Sequence, residues 1–322
     1  MSTITTIALG NGGRLSKLGL GCMRMSSVWG GPVNDESESI ATIRMALDSG
    51  INFVNTGDFY GSGHNELLVG KAIKGRRDDA FISVKFGAIF HNGQWLGLDL
   101  RPIAIKNFIN YSLVRLGIET IDLYQPCRLD NSVPMEDVIG TIADLIKEGK
   151  VRYLGVSEIT AEQLRKAHSI HPVTALEIGY SLADRQIEKD LLPTAKELGV
   201  GVVAFANTAE GLLTGEMKAP LPTNDYHNHF SRFQGENLIK NLEKVEVLKR
   251  MAKEKGYTPT QLAIAWVNTQ GDYIMPLVSM SRRSRLPENI QAMEIVFTPE
   301  EKNTLNTHFS PGAIAGGTYL QR

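Results

Sequence analysis

The sequence is poor in the features that mark whole classes of protein. Its 322 residues include two cysteines, Cys22 and Cys127, too few and too far apart for a disulfide framework or a zinc ribbon, so reduced thiols are expected. No apolar run is long enough to span a bilayer, and the amino terminus has no charged stretch leading into an apolar one. An excess of one charge is also missing. With 34 basic residues against 35 acidic, the formal net charge is −1. No block of like charge or basic stripe is present, which argues against nucleic acid or a membrane as partner. A cytosolic protein is the expectation.

What is present is alternation. A composition that is 42% hydrophobic can bury a large core, and the length fits either two ordinary domains or one α/β barrel. Ile4 to Leu18 reads as a hairpin about Gly10-Asn11-Gly12-Gly13. Short apolar strands then alternate with helical patterns. The strands are expected at Leu18–Met23, Phe53–Gly57, Ala80–Phe86, Thr120–Pro126, Val151–Val156, Val173–Ile178, Gly201–Phe205 and Tyr273–Val278. The segment from Ala209 to about Gly235 is polar, lacks periodicity and reads as an inserted surface loop. Helical patterns follow it, and one more closes the chain at Thr298–Phe309. Eight strands without a linker-like stretch predict one domain over 1–322, a (β/α)8 TIM barrel with an amino-terminal hairpin and extra carboxy-terminal helices. A doubly wound sheet is the alternative, but no Gly-x-Gly-x-x-Gly follows the first strand.

In a barrel, function collects at the carboxyl ends of the strands. There stands Asn55-Thr56-Gly57-Asp58-Phe59-Tyr60-Gly61, a strand end turning into a loop that carries an amide, a carboxylate and a phenol. Lys85 ends the third strand, Cys127 and Arg128 follow the fourth, and Ser157 and Glu158 the fifth. Glu177 lies on the sixth, and Phe205 to Asn207 follow the seventh. His168 with His171, and His227 with His229, have spacings that metals use, but no third ligand is near and no metal is expected. Phe230, Phe233 and Trp95 fall in segments that should overhang the mouth, as pocket lining or as loop anchors.

Leu18-Gly19-Leu20-Gly21-Cys22-Met23, the Asn55–Gly61 stretch with Asn65-Glu66, Asp122-Leu123-Tyr124-Gln125, Gly155-Val156-Ser157 and Glu288-Asn289 follow one another in the order of a known family. Over nearly its whole length the chain resembles the aldo-keto reductase superfamily, and the long segment after strand seven is similar to that of the bacterial branch. The resemblance implies reduction of an aldehyde or ketone by NADPH carried across the strand ends, with a catalytic tyrosine at Tyr60 and lysine at Lys85. Where it expects an aspartate the chain has Asn55, and where it expects a histidine, Cys127. It places Ser157, Glu158 and Glu177 at the nicotinamide, the last two where asparagine and glutamine are usual. Phe205 would stack on the nicotinamide, and Asn207, Thr208, Gly211 and Leu213 would pass the pyrophosphate. Arg285 would meet the 2′-phosphate, and Glu288 and Asn289 the adenine.

Physical chemistry gives these positions expected roles. A phenol with a pKa near ~10 needs a cation beside it to act as a general acid near neutrality, and Lys85 supplies one. Asn55 accepts a lysine hydrogen bond but leaves the ammonium uncompensated, and a thiol is a weaker donor than imidazole. The expected activity is therefore a slow carbonyl reductase, and the alternative is an NADPH-binding sensor or partner-docking protein without useful turnover.

Overall fold

The computed structural model describes residues 4–26, 35–130 and 132–318. β1 (Thr6–Ala8) and β2 (Arg14–Ser16) form the expected antiparallel hairpin. The chain then enters β3 (Gly19–Gly21), α1 (Glu36–Asp48), β4 (Phe53–Gly57), α2 (His64–Ile73) and β5 (Phe81–Phe86). A second hairpin follows, β6 (Ala88–His91) with β7 (Gln94–Leu98), before α3 (Pro102–Leu116), β8 (Ile121–Pro126) and α4 (Met135–Lys147). β9 (Val151–Ser157), α5 (Ala161–Ile170), β10 (Ala175–Gly179), α6 (Leu191–Glu197) and β11 (Gly201–Phe205) continue the alternation. α7 (Gly235–Lys255), α8 (Pro259–Asn268), β12 (Ile274–Ser279), α9 (Leu286–Gln291) and α10 (Pro299–His308) complete it. β3, β4, β5, β8, β9, β10, β11 and β12 pair in parallel and close on themselves as one barrel. That closure is the (β/α)8 architecture and excludes the open doubly wound sheet.

Local chemistry explains the helix starts. Thr160 with Gln163, Thr258 with Gln261 and Thr298 with Glu301 each form a reciprocal capping box, satisfying amide donors that the first turn leaves unpaired. Pro102, Pro259 and Pro299 sit in first turns, where the missing N–H is not needed.

Successive strand side chains point to opposite faces, and the inward-facing column changes character with height. At the amino-terminal end Phe53, Phe81, Leu123, Ala175, Val203, Met275 and Leu277 pack together, closed from below by Leu9 and Leu15 of the first hairpin. Two positions further along the same faces stand Asn55, Ser83, Gln125 and Glu177, all buried and polar. The outward faces, including Val54, Ile82, Val84, Leu154, Leu176 and Val202, join the helices in the main core. The apolar lower layer therefore carries the stability: truncating the fully buried Phe53 would cost about 3–5 kcal/mol. The polar upper layer is the anomaly that function must explain.

The β6–β7 hairpin differs from expectation, because Trp95 lies on a strand rather than in a loop. Its signal was Asn92-Gly93, a dipeptide favoured in two-residue hairpin turns, and both residues take positive φ here (48° and 75°). The long segment after β11 is more firmly held than a surface insertion. Arg232 is buried and makes two bonds to Asp184, at 2.9 and 2.6 Å. Phe233 is buried against His227, so it anchors the segment instead of lining the mouth. Phe230 packs partly buried against the main core.

Candidate active site

Strand register assembles the mouth. Gly57 is level with Lys85, Lys85 with Gln125, Asn55 with Ser83, and Glu177 with Ser157. After β4 the chain makes a short turn at Tyr60–Gly63 into α2, which leaves the Tyr60 ring 5% exposed. Phe59 meets that ring edge-on at 4.8 Å, Phe59 stacks on Phe90 at 5.7 Å, and Phe90 meets Trp95 at 5.4 Å. The second hairpin thus supports the tyrosine through a file of aromatic rings, the arrangement such pairs prefer.

Lys85 reaches into the centre. Its Nζ lies 5.3 Å from the Tyr60 ring centroid. It also donates to Asn55 Oδ1 at 2.7 Å and to Glu177 Oε1 at 2.6 Å. The expectation that Asn55 leaves the ammonium uncompensated is therefore corrected: Glu177, on β10, is its ion-pair partner, with side-chain exposures of 7% and 3%. Glu177 Oε2 accepts from Asn55 Nδ2 at 2.7 Å and from Gln125 Nε2 at 2.5 Å. Asn55 Nδ2 and Gln125 Nε2 each also reach Ser83 Oγ at 3.2 Å. Asn55 and Glu177 each accept a Lys85 proton, and the Asn55 amide is oriented from both ends.

The electrostatics follow from this packing. Burial pushes the Tyr60 phenol up to about 12, against the pull of Lys85 and with a smaller push from Glu177. Tyr60 is a protonated phenol at neutral pH, ready to donate. Burial draws Lys85 toward deprotonation, but Glu177 and then Tyr60 outweigh it, so its pKa stands above the ordinary lysine value. In a low-dielectric site an ammonium stays charged only when paired in this way.

Cys127 follows β8 with its N–H on Phe86 O at 2.8 Å. Burial pushes its thiol up to about 12, against Lys85 and Arg128, so it sits beside the site as a protonated thiol. One other group that sequence placed near the mouth faces elsewhere. Asp58 turns toward Glu66, Arg115 and Tyr124, its Oδ1 buried without a partner, and burial followed by Glu66 raises its carboxyl well above the usual range. His64 Nδ1 meets Ser26 Oγ at 2.8 Å. Gln125 and Ser83 were the residues that sequence reasoning did not assign to the site. Their signal was polarity at period two within strands otherwise apolar.

Around this centre, Ser157 is buried at the end of β9. Glu158 accepts the Gly179 N–H at 2.9 Å, stands 3.6 Å from Arg128, and has its carboxyl raised by burial. Phe205 ends β11 half-buried. Asn207 is buried, bonds Ala204 O at 2.9 Å, and leaves Oδ1 without a partner. Thr208 O accepts the N–H groups of Gly211 and Leu213 at 3.1 and 3.0 Å, so these amides are turned inward. Arg285 is exposed and 3.3 Å from Glu288, which also accepts from Thr258; Asn289 is buried. Among the described residues, no cluster of three or more His, Cys, Asp or Glu side chains is arranged to hold a metal ion, and no helix is long and apolar enough to cross a membrane.

Comparison with known proteins agrees with this fold. Residues 17–309 match the model of the aldo/keto reductase family. The chain is 37% identical over 319 residues to a probable aldo-keto reductase of Glycine max, covering 98% of this chain and 92% of that protein. Its fold superposes on a glycerol dehydrogenase of Gluconobacter oxydans with a TM-score of 0.86 at 30% identity, covering 98% of each chain. An aldo-keto reductase of Klebsiella pneumoniae, solved in complex with NADPH, shares the fold with a TM-score of 0.74 at 22% identity over 96% of each chain.

Proposed function

The chain belongs to the aldo/keto reductase family, and from that membership we propose that it reduces an aldehyde or ketone to the alcohol at the expense of NADPH, with Tyr60 as the proton donor. The observation that carries this reading is the buried Tyr60–Lys85 contact, a protonated phenol held against a paired ammonium.

The donors at the mouth suit NADPH. Asn207 presents a buried Oδ1 with no partner, an acceptor whose isolation costs about 1–3 kcal/mol unless a ligand satisfies it. Ser157 ends β9 at the mouth, and the exposed Arg285 offers a guanidinium fork suited to a 2′-phosphate. Glu288 and Asn289 would flank the adenine. Bound there, the reduced nicotinamide supplies the hydride. The chain does the rest. Tyr60 gives its proton to the carbonyl oxygen as the carbon accepts the hydride, leaving an alcohol and a tyrosinate. Lys85, its ammonium 5.3 Å from the ring centroid, stabilises that tyrosinate by its charge until solvent returns the proton. Cys127, a neutral thiol, adds little polarisation of the carbonyl. Missing one such donor typically lowers rate by about 10²–10³, which makes this a slow reductase.

The test is oxidation of NADPH and of NADH against a panel of aldehydes, ketones and quinones, with the alcohol product identified. Carbonyl-dependent oxidation of NADPH is expected. Tight NADPH binding without any oxidation across the panel would favour the sensor or docking protein instead.

A further inference from the structure

We propose that Glu177 is the positioning residue that keeps Lys85 charged, and that Asn55 and Glu177 form one exchangeable amide–carboxylate unit in which either position can carry the charge. This deepens the reductase reading and rests on it. Three contacts carry the inference. Both side chains touch the same ammonium, Asn55 Oδ1 at 2.7 Å and Glu177 Oε1 at 2.6 Å. They also touch each other, Asn55 Nδ2 to Glu177 Oε2 at 2.7 Å. They come from opposite sides of the barrel, β4 and β10, so the ion pair ties together strands that are not neighbours.

The chemistry of the unit is balanced. Lys85 needs one anion, because two carboxylates around one buried ammonium would leave a net charge in a low dielectric and none would leave the ammonium bare. One carboxylate and one amide fill the four oxygen and nitrogen positions with complementary donors and acceptors. Gln125 Nε2 at 2.5 Å completes the shell of Glu177, so both carboxylate oxygens are engaged within the protein. Glu177 is therefore assigned to Lys85 and not to the cofactor. It touches neither the reacting atoms nor Tyr60's donated proton, and acts through Lys85 with a smaller electrostatic push on Tyr60.

The titratable groups facing the unit are Tyr60 from the loop after β4, Lys85 on β5, Cys22 after β3, Cys127 after β8 and Glu158 after β9. In the wild type the two thiols are held protonated to about 12, and a Cys127→Ala control in each variant separates a thiol limb from one of the Tyr60–Lys85 pair.

The experiment compares wild type, Glu177→Gln, Asn55→Asp and the exchanged pair Asn55→Asp/Glu177→Gln. Each is read by kcat for NADPH-dependent aldehyde reduction from pH 6 to 10 and by melting temperature without cofactor. Glu177→Gln should lower kcat by about 10²-fold and bring an alkaline limb below about pH 10, where wild type shows none, a change that loss of packing alone does not produce. The exchanged pair should recover kcat to within about tenfold of wild type and melt above both single variants, since residues in contact couple non-additively. An exchanged pair no better than the worse single variant, or Glu177→Gln with wild-type kcat and no alkaline limb below about pH 10, overturns the proposal. If Glu177→Gln fails to fold, recovery of a folded exchanged pair decides the matter alone. A wild type that reduces no carbonyl overturns the reductase reading. The melting temperatures then still judge the Asn55–Glu177 coupling: recovery in the exchanged pair upholds it, and additive losses reject it.

Discussion

Placing a carboxylate at position 55 while Glu177 remains should destabilise the protein in a pH-dependent way. Asn55→Asp turns the 2.7 Å donor contact to Glu177 Oε2 into an approach of two oxygens. Two full charges about 4 Å apart repel by about 4 kcal/mol at an effective permittivity near ~20. The alternative is to bind a proton in the folded state, which costs about 4 kcal/mol at pH 7 and about 1.5 kcal/mol at pH 5 for a carboxyl of ordinary pKa. Lys85, in contact with both positions, offsets part of this, so the net loss should be about 2–3 kcal/mol at pH 7.5. The sign follows from linkage. The folded variant holds a proton that the unfolded chain releases, so the penalty is absent below the ordinary carboxylate pKa and grows as pH rises toward the raised folded value. For a chain of this size about 1 kcal/mol lowers the melting temperature by roughly 2 °C, giving a deficit of roughly 4–6 °C at pH 7.5 that shrinks toward pH 5. Thermal melts of both proteins from pH 5 to 8 measure it. A deficit that does not change with pH, or a variant more stable than wild type at pH 8, would refute the reasoning.

Three further outcomes are expected. Arg285→Ala should weaken NADPH binding by about one to two decades and leave NADH nearly unchanged, because charge-assisted bonds to a phosphate are worth roughly 1.5–3 kcal/mol; equal losses for both cofactors in a fluorescence titration would make Arg285 structural. Gly155→Ala would put a methyl 2.8 Å from Gln125 Oε1 and 3.1 Å from Leu123 Cδ1, costing about 1–3 kcal/mol by overpacking. Gln125→Ala in the same chain should relieve part of that loss in a melt, and strictly additive losses would show that the two residues do not meet. Cys22 and Cys127, both pushed up to about 12 by burial, should hold roughly three decades less thiolate at pH 8 than an ordinary cysteine; rapid labelling of the native protein by a thiol reagent would contradict the buried site.

The barrel was legible because its strands are short β-branched or aromatic runs between helical patterns, and β4 (Phe53–Gly57) and β11 (Gly201–Phe205) have the bounds expected of them. Tyr60 and Lys85 were legible for a related reason: each stands at or just beyond a strand end, where a barrel places its chemistry. The partner of Lys85 was not. Glu177 is 92 residues away in sequence, and only closure of the sheet brings β10 across from β5, so no local pattern distinguishes an ion-pair partner from a cofactor contact. Asp58 shows the reverse limit. Two residues before Tyr60, it shares the loop with the phenol yet turns outward to Glu66 and Arg115, because a turn, not an extended strand, follows Gly57. The β6–β7 hairpin was announced by Asn92-Gly93, but its strands lack a strict alternation and carry a bulge between Ile89 and Phe90.

The most direct measurement is single-turnover oxidation of NADPH by a saturating aldehyde in wild type and in Tyr60→Phe, with NADPH affinity measured on both. Removing the phenol proton while keeping the ring should leave NADPH binding within about threefold and slow hydride transfer by about 10²–10⁴, the range of a lost general acid. A Tyr60→Phe protein that oxidises NADPH as fast as wild type would contradict the assignment of Tyr60 as the proton donor.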